Sequence, residues 1–595
     1  MSMTWRQNDH YRLRRLSSAW CVPGILAACL VCAFIGGCDE GEDPPDPNPD
    51  ESSSGSAPEA LPRDRAGTLS GIRFVDVATE AGIQLTYRNG EEAGHYAILE
   101  SLGGGAGLLD YDNDGRLDVI LPAGGGFKGT STIGIPSELF RSLGQLRFEK
   151  VTAESAVTDG RFYSHGIAVT DFDGDGFSDF LVTGFGGLQL FVNQGDGTFL
   201  EQTAESGLND DSWSSSAAFA DFNADGHPDL YVAHYVNWSL DNNPQCRGPK
   251  PGDRDICPPK EFLGLTDSLY ISHGDGTFFD ATREWGLSEA GKGLGVVVGD
   301  VDLDGDLDVY VGNDTVPNFL YLNEGKRFED ASLVSGTAYS EEGRSDGSMG
   351  VDLGDFDGDG LPDLWVANYE SQSFGLYRND GGGYFQPISS TVGVTAIGAL
   401  FVGWGTTFFD PDLDGDSDLF ASNGHVIRHP HSAPLRQQSL LLLNQAGRRV
   451  INVAPSCGDY TSSPHMGRGL ACGDLDNDGD PDLVISHNNE PVAVLDNRSK
   501  RNGNWIRLRL IGRSSSRHPV GAIVKVRIDD QTEFTHQIRS GGSYASSSDP
   551  RLLIGLGKAS KIASLSIQWP SGIKQDVKPP RIGTTLTVVE PAAAR

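Results

Sequence analysis

An all-β chain is expected here: a seven-bladed β-propeller followed by a small C-terminal β-sandwich-like domain. Three observations lead to it. First, the nine-residue pattern D-x-[DN]-x-D-G-x-x-D occurs seven times, at spacings of 50 to 79 residues. Self-similarity at such a period marks a propeller or solenoid. Second, a short apolar run precedes each copy (GLGVVVGD, GIAVTD) and an alternating β-rich run follows it (DLYVAH, DVYVGN, DLWVAN, DLVISH). With the hairpin segments LFVNQGDGTF and YLNEGKRF, each unit supplies about four short strands. Third, segments starting near Phe74, Phe148, Phe199, Phe279, Phe328, Phe385 and Val450 precede every copy, and none follows the seventh. The Phe74 strand is therefore expected to cross over and complete the last blade, which leaves no exposed sheet edge there.

The chain divides into four stretches. Residues 1–38 carry Arg12, Arg14 and Arg15 before the apolar run AWCVPGILAACLVCAFIGGC, a basic region followed by a hydrophobic one. That run ends Ile35-Gly36-Gly37-Cys38, which resembles a bacterial lipobox, so Cys38 is the expected lipidation site. An uncleaved anchor helix is the alternative. Residues 39–70 are rich in Pro, Ser and acids and bury too little to order themselves, a solvated tether. The propeller is placed at 71–500 and the last domain at 501–591. The expected location is extracytoplasmic, lipid-anchored to a bacterial cell envelope or secreted.

Charge bounds the partners. The chain has 595 residues, 82 acidic against 46 basic, for a net charge of −36. Nucleic acid is excluded, because phosphate binding needs Lys/Arg clusters.

The repeated aspartates point to a cation. The candidate ligands are Asp110, Asp112, Asp114 and Asp118 in the first copy, and Asp171, Asp173, Asp175 and Asp179 in the second. The third offers Asp221, Asn223, Asp225 and Asp229, and the fourth Asp300, Asp302, Asp304 and Asp308. The fifth offers Asp355, Asp357, Asp359 and Asp363, and the sixth Asp410, Asp412, Asp414 and Asp418. The seventh offers Asp474, Asp476, Asp478 and Asp482. Side chains at positions 1, 3 and 5 of a tight loop converge, and the glycine at position 6 permits the turn. Hard oxygen donors at these offsets suit Ca²⁺, with Mg²⁺ second because it needs a stricter octahedron. About seven structural Ca²⁺ are expected, with weaker binding where Asn223 replaces a charge. An EF-hand would need Glu at position 12. That position holds Leu121, Val182, Val232, Val311, Val366, Ala421 and Ile485 instead.

The far ends of the strands carry a second candidate set: His165, His234, Asn313, Asn368, Trp404, Asn423, His425, Arg468 and His487. Such a ring around the channel mouth suits a sugar or an anionic group, or else satisfies strand-end backbone. An insertion at 235–266 is expected to project from this face as a lid. Of the cysteines in the mature body, Cys246–Cys257 and Cys457–Cys472 are the simplest disulfide pairs outside the cytoplasm, with zinc the alternative.

The repeats resemble the FG-GAP/VCBS family, calcium-binding propellers like the integrin α-subunit head. The segments NGNW, VGAIVKV, GGSYASSSD, LLIGLG and QWPSG resemble the ASPIC/UnbV domain, which follows such propellers in acidic cartilage protein and bacterial relatives. Ser543 and Asp549 lie in it without a G-x-S-x-G elbow, so no triad is expected. The resemblance implies a binding or adhesion module for glycan, matrix or protein ligands. The other reading is an enzyme acting on a polysaccharide or small molecule at the channel mouth. It would use His165, His234, His425, His487 or Arg468 as acid, base or charge stabiliser.

Overall fold

A computed structural model describes residues 71–529 and 532–592. The signal-type segment 1–38 with Cys38 and the tether 39–70 lie outside the described residues. Among those described, no helix is long and apolar enough to cross a membrane.

Seven antiparallel blades follow one another along the chain, six sheets of four strands and one, the fourth blade, of five. Their first strands are Gly107–Leu109, Tyr163–Thr170, Ser214–Ala220, Gly293–Gly299, Ser348–Gly354, Gly403–Phe409 and Gly467–Gly473. These neighbour one another in chain order, and the first also neighbours the seventh, so they line the centre. The second strand of each sheet begins at the last aspartate of the repeat. In blades three to seven all six of its residues are buried, because blades pack against both of its faces. The Phe74–Asp76 strand pairs with Ala493–Asn497, Phe74 opposite Asn497, as the missing eighth Phe segment implied.

Small residues at the start of the inner strands have a steric cause. A Cβ on Gly105 would lie 1.6 Å from the Ala545 carbonyl oxygen, and one on Gly350 1.8 Å from that of Trp404. The inner strands of blades two to seven also shift register here. Such bulges bend a strand and tighten its twist.

The C-terminal domain has two sheets. In one, Trp505–Ile511 lies between Leu552–Gly555 and, in parallel, Thr584–Val589. In the other, Ile523–Arg527 lies between Glu533–Gln537 and Ser564–Gln568, with Lys574–Val577 at the edge. Ile506, Leu508, Val524, Val526, Ile567 and Trp569 form its core.

The segment 540–549 leaves this domain and fills the centre of the propeller. Ser540–Gly541 adds a strand beside Gly293–Gly299. Ser543 accepts from the N–H of Val351, Ala545 from Ile167 and Ser547 from Leu108. The Ser543 hydroxyl accepts from Thr406 N–H, and the Ser548 hydroxyl from Cys472 N–H. Ala545 N–H donates to the Ser216 hydroxyl. Every inner strand thus bonds to one ten-residue segment. Tyr544 at its tip is fully buried, its ring 4.7 Å from that of Trp404.

Candidate metal-binding loops and the opposite face

Each aspartate loop is organised by its own side chains. The position-6 glycine donates its N–H to the position-1 carboxylate in all seven copies, at 2.8–3.1 Å. These glycines have φ between 84° and 104°, the left-handed region that only glycine enters without strain. Position 4 is left-handed too, and is Asn113, Gly174, Ala224, Leu303, Gly358, Leu413 or Asn477. Where it is asparagine it spans to the next blade: Asn113 donates to Gly176 O and Asn477 to Gly115 O.

The position-9 aspartate clamps the blade. One oxygen accepts from a third-strand N–H in every copy, at 2.7–2.9 Å. The other accepts from the position-2 N–H in six copies. In the sixth copy position 2 is Pro411, which has no N–H, and Asp418 Oδ2 is left without a hydrogen bond. Burial pushes Asp118, Asp229 and Asp363 up to about 8, and nearby carboxylates push the same way.

A test of fit for a cation is whether carboxylate oxygens are buried without donors. Asp112 Oδ1, Asp171 Oδ1, Asp300 Oδ1, Asp357 Oδ1 and Asp412 Oδ1 are all in that state. They belong to copies one, two, four, five and six. In the third copy both Asp221 oxygens accept backbone N–H groups. In the seventh, Arg507 lies 2.6 Å from Asp474 and Arg501 pairs with Asp478 and Asp480. Acid clusters with oxygens within 4.8 Å of one another include Asp110, Asp112 and Asp118, and Asp171, Asp173 and Asp179. Hard, convergent oxygen atoms lacking donors fit Ca²⁺.

The C-terminal domain sits on this acidic face and brings arginines to it. Arg517 lies 3.0 Å from Asp171 and Arg509 3.9 Å from Asp110. Arg539 pairs with buried Asp352, and Arg551 with Asp549. Gln537 exchanges two hydrogen bonds with the backbone of Asp300. Ser543 and Asp549 are docking residues here.

Sequence reading missed an asparagine at the end of the third strand. Asn193, Asn323, Asn379, Asn444 and Asn497 each donate to the position-2 carbonyl of the preceding blade's loop, at 2.7–3.0 Å. The signal was in plain view, in the N of LFVNQ and YLNEG. In blades one and three this position is Ser142 or Ser272, and the link is not made by that residue.

On the opposite face, none of the nine candidates is more than 2 % exposed. His234 bridges Asp210 at 2.8 Å and Thr266 O at 2.7 Å. His165 meets Gly103 O through Nδ1, and burial lowers its pKa to about 4. Asn313, Asn368 and Asn423 donate to Pro317 O, Ser373 O and Gln438 O. Trp404 donates to Gly424 O, and His425 Nδ1 accepts from Val426 N–H. Arg468 stacks on Trp404 at 4.3 Å and donates to the carbonyls of Ser101, Gly424, Gly467 and His425. His487 lies between the Tyr460 hydroxyl and Pro491 O.

Three loops clasp each other above this ring. Asn243 and Arg254 donate to His95 O, and Asp255 accepts from the N–H groups of Arg428 and His429. Trp238, Ile256 and Phe262 of the 235–266 insertion share a core with Trp213, Trp404 and Tyr544. Cys246 and Cys257 are joined, with Cα atoms 5.2 Å apart. Cys457 and Cys472 are not joined, contrary to expectation. Cys457 O bonds Phe74 on the outermost strand of blade seven, whereas Cys472 is on its innermost strand. Three strand spacings of about 4.8 Å separate those positions, well beyond disulfide reach.

Family models match both parts of this architecture. The FG-GAP-like repeat family matches residues 110–182, 171–232, 264–311, 301–366 and 355–421. The ASPIC and UnbV family matches 512–595. Cartilage acidic protein 1 of Xenopus tropicalis is 25% identical over 79% of this chain and 70% of its own length. The Homo sapiens protein is 24% identical over 82% and 72%. Among solved structures, an Agrocybe aegerita lectin recognising non-reducing terminal N-acetylglucosamine aligns over 64% of this chain and 85% of its own. Its TM-score is 0.35 at 15% identity. A Bacillus licheniformis rhamnogalacturonan lyase aligns over 66% and 71%, with TM-score 0.33 at 13% identity. The chain thus carries FG-GAP-like repeats followed by a C-terminal ASPIC and UnbV domain.

Proposed function

We propose that this chain is an extracytoplasmic, calcium-pinned binding module for glycan, matrix or protein ligands. The observation that carries the calcium reading is the set of buried, donor-less carboxylate oxygens in five of the seven loops. Positions 1, 3, 5 and 9 would supply the carboxylates, and position 7 a carbonyl. Bound Ca²⁺ would supply positive charge that holds each loop closed. Copies three and seven bind most weakly, one through Asn223 and the other through competition from Arg507.

Binding rather than turnover is supported by the state of the far-face ring: His165, His234 and His487 each commit one ring nitrogen to a backbone carbonyl, Arg468 donates to backbone carbonyls, and all four are buried. With the loop face under the C-terminal domain, ligand contact falls to the rim of the blades and the clasped loops. The Cys246–Cys257 bond fits an oxidising compartment. A lipid anchor at Cys38 would hold the module at the envelope surface.

The test is calorimetric titration of Ca²⁺ into chelator-stripped protein lacking residues 1–38, with thermal unfolding alongside. Five or more ions should bind, and the midpoint should rise steeply. A site filled to a hundred times its Kd adds about 2.7 kcal/mol. No heat and no shift would sink the calcium reading. Loaded protein retained by no glycan or matrix-protein array would sink the binding reading.

A further inference from the structure

A second donor set lies outside the aspartate loops, at the far end of blade seven. His465 precedes the innermost strand, His487 ends the second strand, and Glu490 sits in the turn that follows. One ligand atom from each lies within 4.8 Å of the other two. The rings of His465 and His487 stack 5.3 Å apart.

Three features prepare these groups. His487 Nδ1 donates to the Pro491 carbonyl at 2.5 Å, which leaves Nε2 as the lone-pair nitrogen. Such a backbone bond is how metal-ligating histidines are oriented. His465 Nε2 is buried without a hydrogen-bond partner, and its Nδ1 lies 3.5 Å from Glu490. The Glu490 side chain is only 8% exposed; Oε2 accepts from Met466 N–H, and Oε1 has no hydrogen-bond partner, though Arg436 pairs with it as an ion. The His465 side chain is 23% exposed, which gives an ion a route in.

We propose that His465, His487 and Glu490 form a binding site for a borderline divalent metal, Zn²⁺ by preference. Two imidazoles and one carboxylate suit Zn²⁺ and are the wrong donors for Ca²⁺. Three protein ligands leave a fourth position open. The Tyr460 hydroxyl, 2.7 Å from His487 Nε2, competes for that lone pair and must swing away on binding. The site is independent of the aspartate loops and of the module's ligand.

The experiment uses the full chain saturated with Ca²⁺, so that the aspartate loops are filled. Zn²⁺ uptake is measured by equilibrium dialysis, and Co²⁺ is used as a visible-absorption probe of coordination. Wild type should bind one Zn²⁺ in this site and give the intense absorption of tetrahedral Co²⁺. His465→Gln, at a partly exposed position, and Glu490→Gln should each abolish both signals without changing Ca²⁺ binding. Tyr460→Phe should bind Zn²⁺ more tightly, a gain that a misfolded variant could not give. Uptake unaltered in both variants, uptake that follows the His429-x-His431 pair instead, or no uptake by wild type overturns the proposal.

Discussion

The two faces of the propeller are ends of the same strand pairs, yet they are held in different ways. On the loop face one solution is repeated seven times: a glycine N–H on the first carboxylate and a clamp by the last. In five copies it also leaves a buried carboxylate oxygen without a hydrogen-bond donor. On the opposite face five blades share a single bond: His234, Asn313, Asn368, Asn423 and His487, each ending its second strand, donate to the carbonyl two residues before the third strand. Beyond that bond the partners differ: His165, Trp404 and Arg468 meet the carbonyls of Gly103, Gly424 and Ser101. The loop face repeats a whole arrangement; the opposite face repeats one bond and hangs the rest on single residues.

That contrast can be tested residue by residue. Arg468→Met should have the largest effect. It strips charged donors from four backbone carbonyls in a dry site, and about 3 kcal/mol or more of stability should be lost in denaturant unfolding. A loss under ~1 kcal/mol would mean that the far face has no single hub. Asn379→Ala, on the loop face, removes links to Val301 O and Pro362 O and should cost about 1–3 kcal/mol. Because four other blades keep an equivalent link, unfolding should remain one transition; two transitions would argue against a uniform face.

The next effect depends on pH. Burial lowers the pKa of His234, but the Asp210 carboxylate outweighs it and raises the value above 6.5. A raised folded pKa gives stability that is fully present below 6.5 and fades as pH rises through the raised value. The melting point should therefore fall across that window in wild type. The fall should be absent in Asp210→Asn. The same fall in the variant would assign it elsewhere. Smallest is Leu303→Asn. Leu303 holds φ +63° at position 4 and is 41% exposed. Asparagine tolerates that conformation, and copies one and seven use it to reach the next blade. A gain of up to ~1 kcal/mol is expected in thermal unfolding; a loss would mean that the leucine packs usefully.

What was legible in the sequence was what repeats. The seven loops, the strand order within blades and the crossing of Phe74 each rested on seven aligned examples. The asparagine at the third-strand end was equally legible, since it recurs in five blades beside a quoted glycine turn, but its partner lies in the neighbouring blade. Segment 540–549 was not legible, because nothing in GGSYASSSD says that inner strands hundreds of residues earlier will accept it. The far-face ring was found by position, but its burial was not, because the covering loops are unique insertions. The pairing of Cys457 with Cys472 followed sequence proximity and ignored that a blade's outer and inner strands lie far apart.

The Phe74 strand also sets the order of events when the chain is made. Asp76 bonds Val494, 418 residues away. The first strand of the described residues to emerge from the ribosome is thus among the last to be paired. Contacts this distant make folding slow, and the waiting strand has a bare edge throughout. Only after residue 497 can the seventh blade be completed, and only then does the chain supply the segment that fills the centre. A nascent chain halted before that point has six full blades, one open blade and a hollow core.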